Sequence, residues 1–295
     1  MPAINWYPGH MAKSRRMLAE QLRAVDAVIE LVDARAPLST ANPDLRALTR
    51  GKARLLVLNK ADLADDAVTS RWLDFYRAQG VEVMRFNSGG GRAKDMLERV
   101  ERATRPAVER AAARGVKKTV RLMVVGIPNV GKSTFINRLN GSAVARAADR
   151  PGVTRSRQWV KIGPYLELLD TPGMLPPRLD DQARAQTLAF LGSVRDQILD
   201  TQELAGALLR RLAALRPDMT RVRFKLPEAV PSPSGELLPL CDPALADEAL
   251  LEAACRGRGW LLSGGRFDLE RGAALVLDEF RAGKVGKISL EAPEV

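Results

Sequence analysis

The residues best suited to chemistry lie in one short run, Gly126-Ile-Pro-Asn-Val-Gly-Lys-Ser133, which fits the pattern G-x-x-x-x-G-K-[ST]. Glycines in such a loop let the main chain wrap a phosphate, so that successive N–H groups and the start of a following helix point at it. Here those N–H groups belong to Asn129, Val130, Gly131, Lys132, Ser133 and Thr134. The Lys132 ammonium would reach the β- and γ-phosphates, and the Ser133 hydroxyl would take a place on Mg²⁺. A chance Gly-rich turn could mimic the pattern. The apolar run before it and the helical residues after it supply the strand and helix that the chemistry needs.

A phosphate loop does not choose a base. Asn59-Lys60-Ala61-Asp62, at the end of the apolar run RLLVL, supplies that choice. A carboxylate placed there accepts from the N1–H and the exocyclic amine of guanine, and adenine offers no matching pair of donors. Alone, the four residues are a weak pattern, because Asp62 could simply cap the helix that follows. Beside a phosphate loop they point to GTP and GDP as ligands. Asp170-Thr-Pro-Gly173 ends another apolar run, YLELL. Its Asp170 can hold Mg²⁺ through water, and the Gly173 N–H can meet a γ-phosphate. Thr154, about 20 residues past Ser133, lies in a loop long enough to fold over the phosphates and bring a second hydroxyl to the metal.

The elements that must position these groups alternate. Residues 25–32, 54–58, 81–86 and 119–125 are short, nearly continuous apolar runs, as parallel strands covered on both faces require. Between them, 67–79 and 93–114 have helical periodicity, as does 134–140 after the phosphate loop. Residues 159–162 and 165–169 read as a hairpin around Gly163-Pro164. Beyond about residue 180 the β-branched runs disappear. Residues 183–215 and 243–255 are helical by periodicity, and the Pro-rich stretch 226–239 must be extended or looped. The expectation is an α/β chain. A doubly wound, mostly parallel sheet fills residues 1–182, and a smaller all-helical domain fills 183–295.

The chain of 295 residues has a net charge of +11, and the excess is uneven. Residues 1–184 carry 32 basic and 19 acidic side chains, and the remainder carry 14 and 16. The excess is densest over 92–121 and 138–161. Such a patch suits a polyanion, although a solvated helix face would also produce it. Two cysteines and one histidine exclude a disulfide scaffold and a His-based metal cage. No apolar run reaches the length of a membrane span, and the N-terminus lacks an apolar leader, so a cytoplasmic setting without membrane contact is expected.

In motif content the sequence resembles the translation-factor-type GTPases, with the order changed. Those families run phosphate loop, switch threonine, DxxG, NKxD and then a Ser-containing loop. Here Asn59-Lys60-Ala61-Asp62 and Asn87-Ser88 precede the phosphate loop. The resemblance therefore implies a circularly permuted GTPase domain, with Asn87 and Ser88 in the last base-contacting loop. Permutation keeps each site in place while moving the chain ends.

A narrower resemblance is to the bacterial ribosome-assembly GTPases of the YlqF/RbgA family. It rests on Trp6-Tyr-Pro-Gly-His-Met-Ala-Lys13, Asp33-Ala-Arg-Ala-Pro37, Phe86-Asn-Ser-Gly-Gly-Gly91, Asp149-Arg-Pro-Gly-Val-Thr154 and the ending Asp278-Glu-Phe-Arg-Ala-Gly-Lys284. It implies GTP hydrolysis on a maturing large (50S) ribosomal subunit, contact with rRNA rather than DNA, and release after hydrolysis. Met174 stands where many GTPases have a glutamine that orients the attacking water. The resemblance implies that His10 takes a catalytic part instead, although a surface histidine contacting RNA fits the residues too. Asn129 resembles the asparagine of potassium-activated GTPases, which implies K⁺ beside Mg²⁺; a purely structural turn residue fits equally. Two alternatives stand beside the assembly factor. One is a nucleotide-stabilised RNA-binding scaffold with little hydrolysis, and the other is a permuted GTPase of small-subunit maturation.

Overall fold

The computed structural model describes residues 18–49, 51–87, 90, 93–140, 159–163, 166–169, 181–194, 200–232 and 234–294. These fall into two compact units, one holding most of residues 6–179 and the other most of 180–290.

In the first unit six strands form one sheet: β1 (Ala27–Asp33), β2 (Ala53–Asn59), β3 (Glu82–Arg85), β4 (Val120–Val125), β5 (Trp159–Gly163) and β6 (Leu166–Leu169). Their spatial order is β3-β2-β1-β4-β6-β5. All neighbours are parallel except β5 with β6, the antiparallel edge. Every residue of β1 is buried, as the centre of a two-faced sheet demands. Strand β1 lies inside the sheet, β2 and β3 follow to one side of it, and the chain then crosses to place β4 on the other side of β1. The strand order therefore reverses between β1 and β4. In open α/β sheets, ligands bind in the crevice outside the carboxyl ends of the strands at such a point.

Helices α1 (Pro37–Thr40), α2 (Pro43–Leu48), α3 (Asp66–Ala78), α4 (Ala93–Ala112) and α5 (Lys132–Asn140) connect the strands. Helix α3 buries Trp72, Leu73 and Tyr76, and the Trp72 ring stacks on Tyr76 at 5.6 Å. Helix α4 buries Met96, Val100 and Thr104, one residue per turn, and leaves Arg102, Arg105 and Arg110 exposed. The last residues of the chain belong to this unit as well. The Glu291 carboxylate accepts from the N–H groups of Leu38 and Ser39, the first-turn donors of α1. Among the described residues no helix is long and apolar enough to cross a membrane.

The second unit contains α6 (Gln182–Phe190), α7 (Thr201–Leu215), α8 (Pro217–Phe224), α9 (Asp247–Arg258) and α10 (Leu269–Arg281), with Leu63–Asp65 included in it. The stretch 183–215, read as helical throughout, is two helices. Gly192, at φ 70°, lets the Ser193 N–H return to the Leu188 carbonyl and close α6. Asp200 then caps the start of α7 through the N–H groups of Gln202 and Glu203. The helical stretch read from residue 243 starts at Asp247, because residues 242–245 turn before it. The Pro-rich stretch adds a two-stranded antiparallel ribbon, β7 (Ala229–Pro231) with β8 (Leu237–Pro239), to this otherwise helical unit. Buried Glu279 binds Arg223 and Arg258 from neighbouring helices. Burial pushes the Cys255 thiol up to about 11, which suits a packing role.

Candidate functional site

The two motifs that carry the chemistry meet at the carboxyl ends of β2, β1 and β4. The register that pairs β1 with β2 sets Asp33 beside Asn59, so residues 59–62, expected to select the base, leave the sheet next to the end of β1. The phosphate loop leaves β4 on the other side. Gly126 crosses β1 so closely that a Cβ would sit 2.7 Å from the Leu31 carbonyl oxygen. Glycine is required there by main-chain proximity, independently of any phosphate.

Side chains of the base loop bind the phosphate loop directly. The buried Asn59 amide donates to the Val130 carbonyl at 2.7 Å. The Lys60 ammonium donates to the Asn129 carbonyl at 2.5 Å and lies 3.2 Å from the Asp33 carboxylate. Lys60 and Asn129 both adopt left-handed backbones, at φ 57° and 62°. Asp62 is exposed in the turn that follows, and the Ala61 N–H donates to the Phe86 carbonyl. That last bond brings the end of β3, and with it Asn87, to the base loop. Phe86 also meets Phe135 of α5 edge-on at 5.3 Å.

Helix α5 starts at Lys132, so its first-turn N–H groups coincide with the loop residues expected to cradle phosphate. The Gly131 carbonyl accepts from Phe135, and Gly131 itself has φ 94°. Lys132 is nearly buried and donates to the Ile127 carbonyl at 2.7 Å, which curls the loop around its own ammonium. Val130 is buried; Ser133 and Thr134 are exposed on the first turn. Ser133 thus offers a hard oxygen donor of the kind Mg²⁺ takes. No group of three or more His, Cys, Asp or Glu side chains forms a metal cage among the described residues.

Of the other sequence candidates, His10, Ser88, Thr154, Asp170 and Gly173 lie outside the described residues. The structure adds two residues that sequence reasoning used only as marks of resemblance. Asp33 is fully buried. Burial works against its ionisation, but the Arg35 guanidinium and then the Lys60 ammonium outweigh it and hold the carboxyl at about 2. Because this folded-state value lies below the ordinary aspartate value, the stabilisation is complete above about pH 4 and is lost as pH falls toward 2. Arg35 Nε and an Nη grip the two carboxylate oxygens at 2.9 and 2.8 Å.

Known proteins resemble this chain over nearly its whole length. A protein described as ribosome biogenesis GTPase A from Bacillus cereus is 40% identical over 293 residues, spanning 99% of this chain and 94% of its own length. Its counterpart from Thermotoga maritima is 30% identical over 294 residues, 99% and 95% of the two chains. The chain belongs to the ribosome biogenesis GTPase A family. It is a GTPase, hydrolysing GTP to GDP and phosphate. The solved GNP-bound YlqF from T. maritima matches this family member with a TM-score of 0.63 at 27% identity, over 96% of this chain and 99% of that one. A GDP-bound YlqF structure matches with 0.65, over 95% and 100%. The family described as 50S ribosome-binding GTPase matches residues 121–216. That match begins at β4, the strand leading into the phosphate loop. Residues 59–62, expected to select the base, precede it in the chain, the order expected of a permuted GTPase domain.

Proposed function

We propose that this GTPase is an assembly factor for the large ribosomal subunit, which binds the maturing particle in its GTP form and leaves after hydrolysis. The full-length relationship to ribosome biogenesis GTPase A proteins carries this reading. The basic excess of residues 1–184 supports it, since an rRNA surface is a dense array of phosphates. The reading divides the chain at about residue 182 into the permuted GTPase domain and a helical domain that completes the footprint on RNA.

At the nucleotide site, Asp62 selects guanine, with Asn59, Lys60, Asn87 and Ser88 framing the base. The N–H groups of residues 129–134 hold the phosphates, and Lys132 exchanges its Ile127 carbonyl for phosphate oxygens. GTPases generally use Mg²⁺, which here would neutralise charge on the phosphates while held by Ser133 and Thr154, with Asp170 acting through water. The Gly173 N–H meets the γ-phosphate. The exposed Asn129 side chain would hold K⁺ against the same oxygens.

With Met174 unable to orient water, His10 takes that part. A group acting mainly in the transition state lowers turnover when lost and spares affinity. His10→Ala is expected to bind GTP normally and to hydrolyse it at least about tenfold more slowly on the subunit. Single-turnover hydrolysis with saturating large subunits tests this, and an unchanged rate removes His10 from the mechanism.

Docking on rRNA releases counterions, so binding to the particle should weaken steeply with salt. Charge reversal at Arg102, Arg105, Arg110 and Arg114, all exposed on or just after α4, should reduce subunit binding and flatten the salt slope while GTP affinity holds. Co-sedimentation across a salt series checks both quantities. If neither moves, this helix is not the docking face.

A further inference from the structure

We infer that Asp33 is a positioning residue of the base-selecting loop, holding the Lys60 ammonium against the phosphate-loop carbonyl of Asn129. The inference rests on the guanine reading of residues 59–62 and adds a residue to it.

Asp33 closes β1, the central strand, and its register partner is Asn59, the last residue of β2. The carboxylate is anchored before Lys60 reaches it. Arg35 grips both oxygens, the Arg35 main-chain N–H adds a bond to Oδ1 at 3.0 Å, and the Asp33 N–H donates to the Thr40 hydroxyl. Asp33 and Arg35 are 2% and 1% exposed at their side chains, so the pair is already neutral and rigid. A core needing only charge balance would stop there. Instead Lys60, still 25% exposed, adds its ammonium at 3.2 Å from Oδ2.

The same ammonium donates to the Asn129 carbonyl at 2.5 Å. It therefore bridges Asp33 of β1 and Asn129 of the phosphate loop, and Lys60 and Asn129 both have left-handed backbones. Such backbones persist where surrounding contacts over-determine them. Asp33 supplies the ionic half of that restraint, and a neutral carbonyl supplies the other half. Lys60 lies two residues before Asp62, so the carboxylate that reads the base is aimed by a loop that Asp33 holds in place.

The test is a double-mutant cycle on the full chain, read as the dissociation constant of GDP and GTP. Asp33→Asn and Lys60→Met are each expected to weaken both nucleotides about tenfold, within the range coupled neighbours show, and the double variant should be no weaker than either single one. A purely structural Asp33 would give losses that multiply, and that result overturns the inference. Asp33→Asn strands a buried guanidinium, so the cycle is repeated on Asp33→Asn/Arg35→Gln, which removes both charges. Non-additivity with Lys60→Met must survive there; its absence also overturns the inference. If Asp62→Asn leaves the guanine preference unchanged, the base reading itself has failed. If it shifts the preference while Asp33 and Lys60 act independently, the present inference alone has failed.

Discussion

Asp62→Asn is expected to exchange guanine for xanthine, weakening GTP about a hundredfold and strengthening XTP in compensation. In the proposed site the carboxylate of Asp62 would accept two N–H bonds from guanine, and hydrogen bonds to a charged group contribute about 1.5–3 kcal/mol each. An asparagine amide keeps one acceptor and adds a donor. Guanine's amine then faces an N–H, whereas xanthine carries a carbonyl at that edge and restores the pair. Asp62 is exposed in its turn, so the substitution leaves the core untouched and the fold should melt as before. The surrounding restraints stay intact, because Asn59 and Lys60, rather than Asp62, bind the phosphate loop. Competition of GTP and XTP against a fluorescent guanine nucleotide reads the exchange. Equal GTP affinity in both proteins would refute the assignment of Asp62 to the base.

The sheet and the turns that carry the two motifs were legible because local rules encode them. Strands β1, β2, β3 and β4 fall within a residue or two of the apolar runs that announced them, since strands covered on both faces are nearly continuous apolar runs. The phosphate loop announced itself through glycines whose need is visible in the fold, at Gly126 against Leu31 and at Gly131 with its positive φ. What stayed hidden depends on distant residues. Nothing in Asp33-Ala-Arg-Ala-Pro37 tells a reader that Lys60, 27 positions later, completes its ion pair. Glu291 capping the N–H groups of Leu38 and Ser39 spans most of the chain, and a short helix without its own capping side chain gives no hint of it. The break between α6 and α7 had a local sign in Gly192 and Asp200. Helical periodicity, which averages over several turns, hid it.

Gly131→Ala is expected to weaken GTP about a hundredfold while the protein still folds, and its controls separate two costs that usually arrive together. One cost is conformational: a side chain at φ 94° is strained, by about 1–2 kcal/mol. Gly51 also has a positive φ, 82°, and a methyl added there would have nothing within 4 Å, so Gly51→Ala carries that kind of cost alone. It should lower the melting temperature by a few degrees, about 1 kcal/mol, and leave nucleotide affinity unchanged. The second cost is a collision. At Gly131 the new methyl would sit 2.5 Å from Nδ2 of Asn59, the atom that donates to the Val130 carbonyl. Asn59 is fully buried and cannot swing into solvent, so either it breaks that bond or the phosphate loop retreats from it. Both outcomes separate the base loop from the phosphate loop, which the nucleotide would engage together in the proposed site. Gly126→Ala differs again, since its methyl meets the main chain of β1 and should unfold the sheet before it affects binding. Thermal melts and nucleotide titrations of the three variants should therefore rank differently: stability falls most for Gly126, affinity for Gly131, and neither strongly for Gly51. If Gly131→Ala binds GTP as tightly as Gly51→Ala does, the Asn59–Val130 bond is not what holds the two loops in register.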